Sequence, residues 1–263
     1  TMTILDEIIA HKKIEVAQAK QHVSAKELEF SPYFSRTCLS AKEFICNPQK
    51  SGIIAEHKRK SPSKGIINDN CTVVDVVEGY ESAGASCISV LTDEHYFGGT
   101  NSDLLIARNR VHIPLLRKEF IIDEYQIIEA KSIGADFILL IATCLDKQQI
   151  HSFAELAKSL GLEVLLEVHT KEELDVYSPH IGIVGVNNRN LKDFSVDIQR
   201  SIELLPYIPT DVVKISESGL HTAHDVLTLK NAGFQGFLMG ENFMKQQNPG
   251  IACTEFAKQI SSI

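Results

Sequence analysis

The 263-residue sequence predicts a (β/α)8 TIM barrel with an N-terminal helical extension. Eight short apolar runs, rich in β-branched residues, alternate with helix-like segments, as expected of parallel strands covered by helices. Three of the helix-like segments end at a glycine just before the next run, where glycine commonly follows a helix. These glycines are Gly84, Gly134 and Gly233. Eight such runs within about 200 residues is the count of a (β/α)8 barrel.

The extension comprises residues 1–46. A capping-box pattern at Thr3–Asp6 and an apolar stripe predict a helix that ends near Gln21. A second short helix is predicted to begin near Ser40. The extension is expected either to cover the bottom of the barrel or to lean over its top beside the site, and the sequence leaves both arrangements open.

The barrel is predicted to occupy residues 47–263, and no low-complexity linker interrupts it, so one domain is expected over 1–263. The predicted strands are Gly52–Glu56, Cys87–Leu91, Ile113–Arg117, Phe137–Ile141, Val164–Val168, Ile183–Asn187, Val212–Ser216 and Gly236–Met239. A doubly wound open sheet is the main competing fold, but it usually carries a GxGxxG turn after its first strand. The corresponding turn here reads SPSKG, residues 61–65.

Composition excludes several classes of function. The formal charge of −8 argues against a nucleic-acid or anionic-membrane partner. No apolar run reaches the roughly 18 residues of a membrane span, and acids near the N-terminus argue against a signal peptide. Met2 is expected to be the native first residue. The six cysteines form no CxxC motif and the histidines lack ligand spacing, so a reduced cytoplasmic setting and no metal site are expected.

Polar residues follow nearly every predicted strand, at the end where barrels of this kind carry their chemistry. They are Glu56, Lys58, Thr92, Lys118, Glu167, Asn187, Arg189, Glu217, Ser218 and Gly240. Each has a simple alternative explanation; Glu56 and Lys58, for example, also suit an edge-strand ion pair. Their recurrence at one end favours an active site. Ser218-Gly219 and Gly240 follow strands seven and eight, where such barrels often bind phosphate.

The sequence resembles the indole-3-glycerol phosphate synthase family from the extension to the last strand. The resemblance rests on eight segments: IIAEHKRKSPSKG (53–65), LTDEHYFGG (91–99), PLLRKEFIID (114–123), GADFILLIA (134–142), LLEVH (165–169), GVNNRNL (185–191), SESGL (216–220) and FLMGE (237–241). Three residues depart from the family pattern. His57 replaces an aliphatic or aromatic residue, Glu119 replaces Asp, and Glu241 follows the phosphate-loop glycine, where its side chain is expected to point to water.

The resemblance implies conversion of 1-(2-carboxyphenylamino)-1-deoxyribulose 5-phosphate into indole-3-glycerol phosphate, carbon dioxide and water in tryptophan biosynthesis. It implies Lys118 as the general acid of ring closure, and burial together with Lys58 and Arg189 is expected to lower its pKa. For the dehydration, Lys58 is favoured as acid and Glu56 as base. Glu167 is expected to support them or to share the acid role, and this division stays open.

The resemblance also implies a set of substrate-binding residues: Ser61, Phe97, Asn187, Arg189, Glu217, Ser218, Gly219 and Gly240. Asn187 and Arg189 are expected to orient the carboxylate and the sugar hydroxyls. Phe97 either packs against the anthranilate ring or belongs to the core. No cofactor is expected, because the iminium formed on ring closure is itself the electron sink. A monomer is expected, with a homodimer or association with other tryptophan-pathway enzymes as alternatives.

Two other functions fit the sequence less well. Phosphoribosylanthranilate isomerase is a phosphate-binding barrel of the same pathway, but it typically uses a Cys and Asp pair, whereas the first strand here ends in Glu-His-Lys. A barrel retired to a binding or scaffold role predicts loss of charged strand-end residues. Glu56, Lys58, Lys118 and Glu167 are all present.

Overall fold

A computed structural model describes residues 1–262 of the chain. Eight parallel strands form a closed barrel in which each strand pairs with its neighbours along the chain and the last pairs with the first. The strands are β1 (Ile53–His57), β2 (Cys87–Leu91), β3 (Leu115–Lys118), β4 (Phe137–Ile141), β5 (Glu163–Val168), β6 (Ile183–Asn187), β7 (Val213–Glu217) and β8 (Gly236–Met239). The predicted TIM barrel is confirmed, and the open-sheet alternative is wrong.

Helices precede the barrel and cover its outside. They are α1 (Ile4–His22), α2 (Ala25–Leu28), α3 (Ala41–Cys46), α4 (Val73–Ser82), α5 (Asn101–Arg110), α6 (Glu124–Ser132), α7 (Lys147–Ser159), α8 (Gln199–Leu204), α9 (Ala223–Ala232), α10 (Glu241–Met244) and α11 (Pro249–Ser261). Three 3-10 helices lie at Ala142–Cys144, Glu172–Val176 and Leu205–Tyr207. After β5 only the 3-10 helix Glu172–Val176 occupies the place of an α-helix. A short antiparallel ribbon, Lys60–Ser61 with Gly65–Ile66, follows β1.

The core has an inner and an outer layer. Side chains such as Ile54, Leu116 and Leu165 fill the inside of the barrel, while a larger cluster packs between the strands and the helices. Because both faces of each strand are covered, the strands read as continuous apolar runs rather than alternating ones. Within residues 1–262, no helix has the length and apolar character needed to cross a membrane.

The extension contacts both ends of the barrel. The capping box of α1 is confirmed: the amide of Asp6 donates to Thr3 Oγ1 at 3.1 Å, and the amide of Thr3 donates to Asp6 Oδ2 at 2.9 Å. At the bottom, α3 inserts Ile45 into the inner core cluster, and Ser40 Oγ donates to Glu163 Oε2 at 2.9 Å. At the top, α1 lies beside the carboxyl ends of the strands. The two arrangements left open by the sequence therefore both occur, each with a different helix.

A buried ion cluster holds α1 at the top. Lys12 Nζ lies 2.7 Å from Asp93 Oδ2 and 2.9 Å from Glu119 Oε1, and all three side chains are buried. Glu15, on the next turn of α1, lies 2.6 Å from the same nitrogen. Asp93 and Glu119 follow β2 and β3. Glu119, one of the departures from the family pattern, also accepts a hydrogen bond from Thr92 Oγ1 at 2.7 Å.

Candidate active site

A cavity of about 340 Å³ opens at the carboxyl ends of the strands. All twelve residues predicted for the site line it: Glu56, Lys58, Ser61, Phe97, Lys118, Glu167, Asn187, Arg189, Glu217, Ser218, Gly219 and Gly240. The parallel strands explain this convergence, because their carboxyl ends meet at one rim of the barrel. The extension adds Ile4, Leu5 and Ile8 of α1 to the wall.

Glu56 and Lys118 form the centre of the cavity. The buried Glu56 accepts hydrogen bonds at Oε2 from Lys118 Nζ at 3.0 Å and from Ser89 Oγ at 2.8 Å. Burial acts to raise the pKa of Glu56, but the charges of Lys118 and Lys58 and the Ser89 hydrogen bond outweigh it, so the pKa is lowered. Glu56 is therefore an ionised carboxylate at neutral pH.

The expected lowering of the Lys118 pKa is wrong. Burial does act to lower it, but the carboxylate of Glu56 and the single negative charge of the Glu217–Glu167 pair outweigh burial and raise the pKa of Lys118 above its ordinary value. Carboxyl groups reach Lys118 from β1, β5 and β7, which are distant from it in sequence, and their effect exceeds that of the nearby cations. Lys118 is therefore firmly protonated before substrate binds.

Glu167 and Glu217 form a buried carboxyl pair. Burial, followed by the negative charge of Glu167, raises the pKa of Glu217 well above its ordinary value. For Glu167 burial acts in the same direction, but a hydrogen bond from Glu217 and the charges of His169 and Lys118 lower its pKa. The proton of the pair thus resides on Glu217. An ionised Glu167 does not suit the acid role that it was expected to share.

Lys58 and Arg189 face each other across Glu241. Lys58 Nζ lies 3.7 Å from Glu56 Oε1 and 3.8 Å from Glu241 Oε1, and Arg189 Nη2 lies 3.9 Å from the same Glu241 oxygen. The expectation that Glu241 points to water is wrong, because its carboxylate turns toward these two cations. All three separations exceed hydrogen-bond length, so Lys58 Nζ and Arg189 Nη2 keep donors available to a bound anion, while Arg189 Nη1 donates to Phe194 O at 3.2 Å.

The loops after β7 and β8 approach the cavity closely with their backbones. Ser218 and Gly219 both have positive φ, 71° and 73°, and a Cβ at Gly219 would lie 2.0 Å from Val196 Cγ1. A Cβ at Gly240 would lie 2.8 Å from the Cβ of Glu56. The short helix α10 begins at Glu241. Both positions thus require glycine for close packing.

The remaining predicted residues lie around these charged groups. Phe97 lines the cavity with its ring centre 5.8 Å from that of Phe120, so it belongs to the wall rather than to the core alone. Ser61 Oγ accepts a hydrogen bond from the amide of Lys64 at 3.2 Å, which shapes the turn of the ribbon after β1. Asn187 Oδ1 accepts one from the amide of Arg189 at 3.0 Å.

Sequence reasoning missed two features of the site. The first is the apolar wall from α1, although the stripe containing Ile4, Leu5 and Ile8 was visible and only its position was unknown. The second is the protonated state of Glu217, for which the sequence carries no signal because it depends on the neighbouring Glu167 across the barrel.

The closed barrel and the charged cavity at the carboxyl ends of its strands define a (β/α)8-barrel enzyme. The family model for indole-3-glycerol phosphate synthase matches residues 5–256. A relative in Bacteroides thetaiotaomicron with that name is 46% identical over 257 residues, covering 98% of each chain. One in Polynucleobacter asymbioticus is 41% identical over 261 residues, covering 96% of this chain and 98% of its own. The chain belongs to the indole-3-glycerol phosphate synthase family.

Solved structures at low identity share the fold. The tryptophan synthase complex from Pyrococcus furiosus matches with a TM-score of 0.61 at 14% identity, over 82% of this chain and 99% of that chain. Thiamine phosphate pyrophosphorylase from the same organism matches with a TM-score of 0.59 at 14% identity, over 82% and 98%. The family, by contrast, defines the activity. Enzymes of this family are carbon–carbon lyases of tryptophan biosynthesis, which close the indole ring of their phosphorylated substrate with loss of carbon dioxide and water.

Proposed function

We propose that Lys118 is the general acid of ring closure. In this step the aromatic carbon that bears the carboxylate attacks the ribulose ketone, and the ketone oxygen takes the proton of Lys118 Nζ. The raised pKa makes Lys118 a weaker acid, but it ensures that the proton is present when the strongly basic alkoxide develops. A firmly protonated lysine also stabilises the developing negative charge before the proton moves.

The next step is loss of carbon dioxide, for which the substrate itself is the electron sink. The bond between ring carbon and carboxylate breaks, and its electron pair moves toward the iminium nitrogen to restore the aromatic ring. Arg189 and Asn187 are proposed to hold the carboxylate in line with this movement, since a planar guanidinium matches a carboxylate. The 3.9 Å separation of Arg189 from Glu241 supports the proposal, because it leaves guanidinium donors available.

Dehydration needs an acid for the departing hydroxyl and a base for the proton whose loss completes the indole. Lys58 is proposed as the acid and Glu56 as the base, because Lys58 Nζ lies 3.7 Å from the ionised Glu56. Glu167 supports Glu56 as a second ionised carboxylate. Glu217, which holds the proton of the carboxyl pair, is the proposed source for restoring the proton that Lys118 gives up.

The substrate is proposed to bind with its phosphate at the loops after β7 and β8 and with its ring against the apolar wall. Ser218, Gly219 and Gly240 would present backbone amides to the phosphate. Phe97 and the α1 residues would contact the anthranilate ring, while Ser61 would help to close the turn over the substrate. Close backbone approach at Gly219 and Gly240 supports this orientation.

The proposal also covers domain organisation, oligomeric state and cellular location. The chain is proposed to act as one domain over 1–263 and as a monomer, which light scattering on the purified protein would test. The cytoplasm is the proposed location. The free state of all six cysteines supports a reducing compartment.

The observation that carries the catalytic proposal is the 3.0 Å hydrogen bond from Lys118 Nζ to Glu56 Oε2 at the centre of the cavity. The test adds the carboxyphenylamino substrate and follows indole absorbance and fluorescence. Lys118→Ala should lower kcat at least about a hundredfold with a smaller change in KM. Lys118→Arg should not restore activity, because a planar guanidinium has a different shape and cannot take the position of the compact ammonium group. Near-normal turnover in Lys118→Ala, with circular dichroism showing a folded protein, would overturn the assignment.

A further inference from the structure

Three side chains of metal-ligand type come together on the outer face of the barrel, and none of them lines the active-site cavity. His151 and Glu155 lie one helical turn apart on α7, and His180 comes from the segment before β6. One ligand atom from each residue lies within 4.8 Å of the other two. We propose that this triad binds a divalent transition-metal ion of the Zn²⁺ class.

The hydrogen bonding of His151 prepares it for a metal. Its Nδ1 lies 3.2 Å from Ser178 Oγ, and its Nε2 lies 3.7 Å from Glu155 Oε2. A metal-bound histidine usually donates its other ring N–H to a neighbouring acceptor, which fixes the tautomer and the ring orientation. With Nδ1–H donated to the buried Ser178, the lone pair of Nε2 faces Glu155. The same Ser178 oxygen accepts a hydrogen bond from the amide of His180 at 3.5 Å, so one residue positions both histidines.

The donor set selects the kind of ion. Two imidazole nitrogens and one carboxylate oxygen suit Zn²⁺ and its neighbours in the first transition row, whereas Mg²⁺ and Ca²⁺ prefer oxygen ligands alone. Ligand atoms bonded to Zn²⁺ at about 2.0–2.1 Å in a tetrahedron are roughly 3.4 Å apart, so the His151–Glu155 separation needs only a small adjustment. These two side chains are 54% and 66% exposed, which leaves room for water as the fourth ligand.

The position of the triad gives the metal a structural role. The unit after β5 has only the 3-10 helix Glu172–Val176 in the helical layer, next to α7. The triad lies at this part of the helical layer, because His151 and Glu155 belong to α7 and His180 belongs to the segment that leads into β6. A bound ion would therefore tie α7 to that segment and stabilise the native state in proportion to its affinity. The sequence concealed the site, since His180 is distant from His151 along the chain.

The first experiment measures Zn²⁺ binding to EDTA-treated protein by isothermal titration calorimetry. The wild type should bind Zn²⁺ at this site, and His151→Gln and His180→Gln should each weaken binding at least about tenfold. His224→Gln is the matched control, because it removes an exposed helical histidine outside the triad and should leave binding unchanged. A hundredfold excess of Zn²⁺ over its Kd should raise Tm by about 5 °C in the wild type and the control, whereas Mg²⁺ should not.

Free cysteines also bind Zn²⁺, so the ligands must be identified. Bound Co²⁺ should show a visible spectrum without the intense near-ultraviolet band of thiolate coordination. Zn²⁺ affinity that is the same in His180→Gln as in the wild type would overturn the proposal. So would an absence of Zn²⁺ binding, which would leave the His151–Glu155 contact as a simple ion pair. Loading the site should not change turnover of the substrate, because the triad lies outside the cavity.

Discussion

Replacement of Lys12 by methionine should detach α1 from the mouth of the barrel. Lys12 is 3% exposed and faces the buried Asp93 and Glu119 at 2.7 and 2.9 Å. The charges of Glu119 and Asp93 outweigh the effect of burial and raise the pKa of Lys12, so the amine is charged. Methionine would leave both carboxylates buried without a counter-charge. Removing one partner of a buried ion pair costs about 3–5 kcal/mol.

The other attachments of helix α1 include the buried side chains of Ile8 and Val16 and hydrogen bonds near its end, which Tyr125 Oη donates to Ala19 O at 3.3 Å and to Val23 O at 2.8 Å. The buried residues of the helix are Ile8, Lys12 and Val16. We therefore expect the cost to appear first as local release of residues 4–22, measured as faster amide hydrogen exchange. Release would also remove Ile4, Leu5 and Ile8 from the cavity wall, so KM should rise at least about tenfold, equivalent to ~1.4 kcal/mol of lost contact.

The same helix offers a matched control. Lys20 Nζ pairs with Asp123 Oδ2 at 2.6 Å, but these side chains are 47% and 32% exposed. An exposed pair contributes about 0–1 kcal/mol, so Lys20→Met should leave exchange and KM nearly unchanged. Equal exchange rates over residues 4–22 in the two variants, together with equal KM values, would refute the argument that the buried cluster holds the helix.

Three further predictions concern the site and the barrel. Glu56→Gln removes the proposed base, so a single turnover should release carbon dioxide but stall before indole forms; equal slowing of both products would exclude the division of steps. Gly219→Ala should raise KM for the phosphorylated substrate at least about tenfold, because a Cβ there would meet Val196 at 2.0 Å; an unchanged KM would contradict the phosphate assignment. Burial and the charge of Arg59 lower the pKa of His57 from 6.5 to about 4, so the native state binds fewer protons than the unfolded state at acidic pH. The free energy of unfolding therefore falls as the pH drops below 6.5, the pKa of His57 in the unfolded chain. The loss due to His57 reaches about 2 kcal/mol at pH 5. Between pH 7.5 and 5, the free energy of unfolding measured with urea should therefore fall by about 2 kcal/mol less in His57→Leu than in the wild type. His224→Leu, at an exposed position, is the control and should behave like the wild type. Equal decreases in the wild type and His57→Leu would contradict the prediction.

The fold could be predicted from the sequence because each strand is buried on both faces. Runs such as Phe137–Ile141 and Ile183–Asn187 have exact counterparts in the structure, since few other elements use so many β-branched and apolar residues in succession. Cys87–Leu91 and Gly236–Met239 match as well, and the ends of the other four strands differ by one or two residues. Leu115, for example, begins β3 two residues later than predicted, after Pro114, which lacks an amide donor for the ladder.

The composition of the site was also readable, because chemistry at a barrel's rim must come from residues directly after strands. Its electrostatics were not, because pKa values depend on contacts across the barrel. The carboxylates that raise the pKa of Lys118 come from β1, β5 and β7, far from it in sequence. The direction of Glu241 likewise depends on Lys58 and Arg189, which approach from two other loops.

The protonation of Glu217 gives the cavity its charge balance. Four cations line the cavity, Lys58, Lys64, Lys118 and Arg189, together with the carboxylates of Glu56, Glu119, Glu167 and Glu241, while Glu217 keeps its proton. If Glu217 were ionised, a fifth carboxylate would face these four cations, leave the cavity net negative and oppose a substrate that brings both a phosphate and a carboxylate. Glu241 has long contacts with Lys58 and Arg189, whereas Lys118 Nζ lies 3.0 Å from the buried Glu56. We therefore propose that the cations at the rim serve binding and that the half-buried Lys118 serves the transfer of a proton.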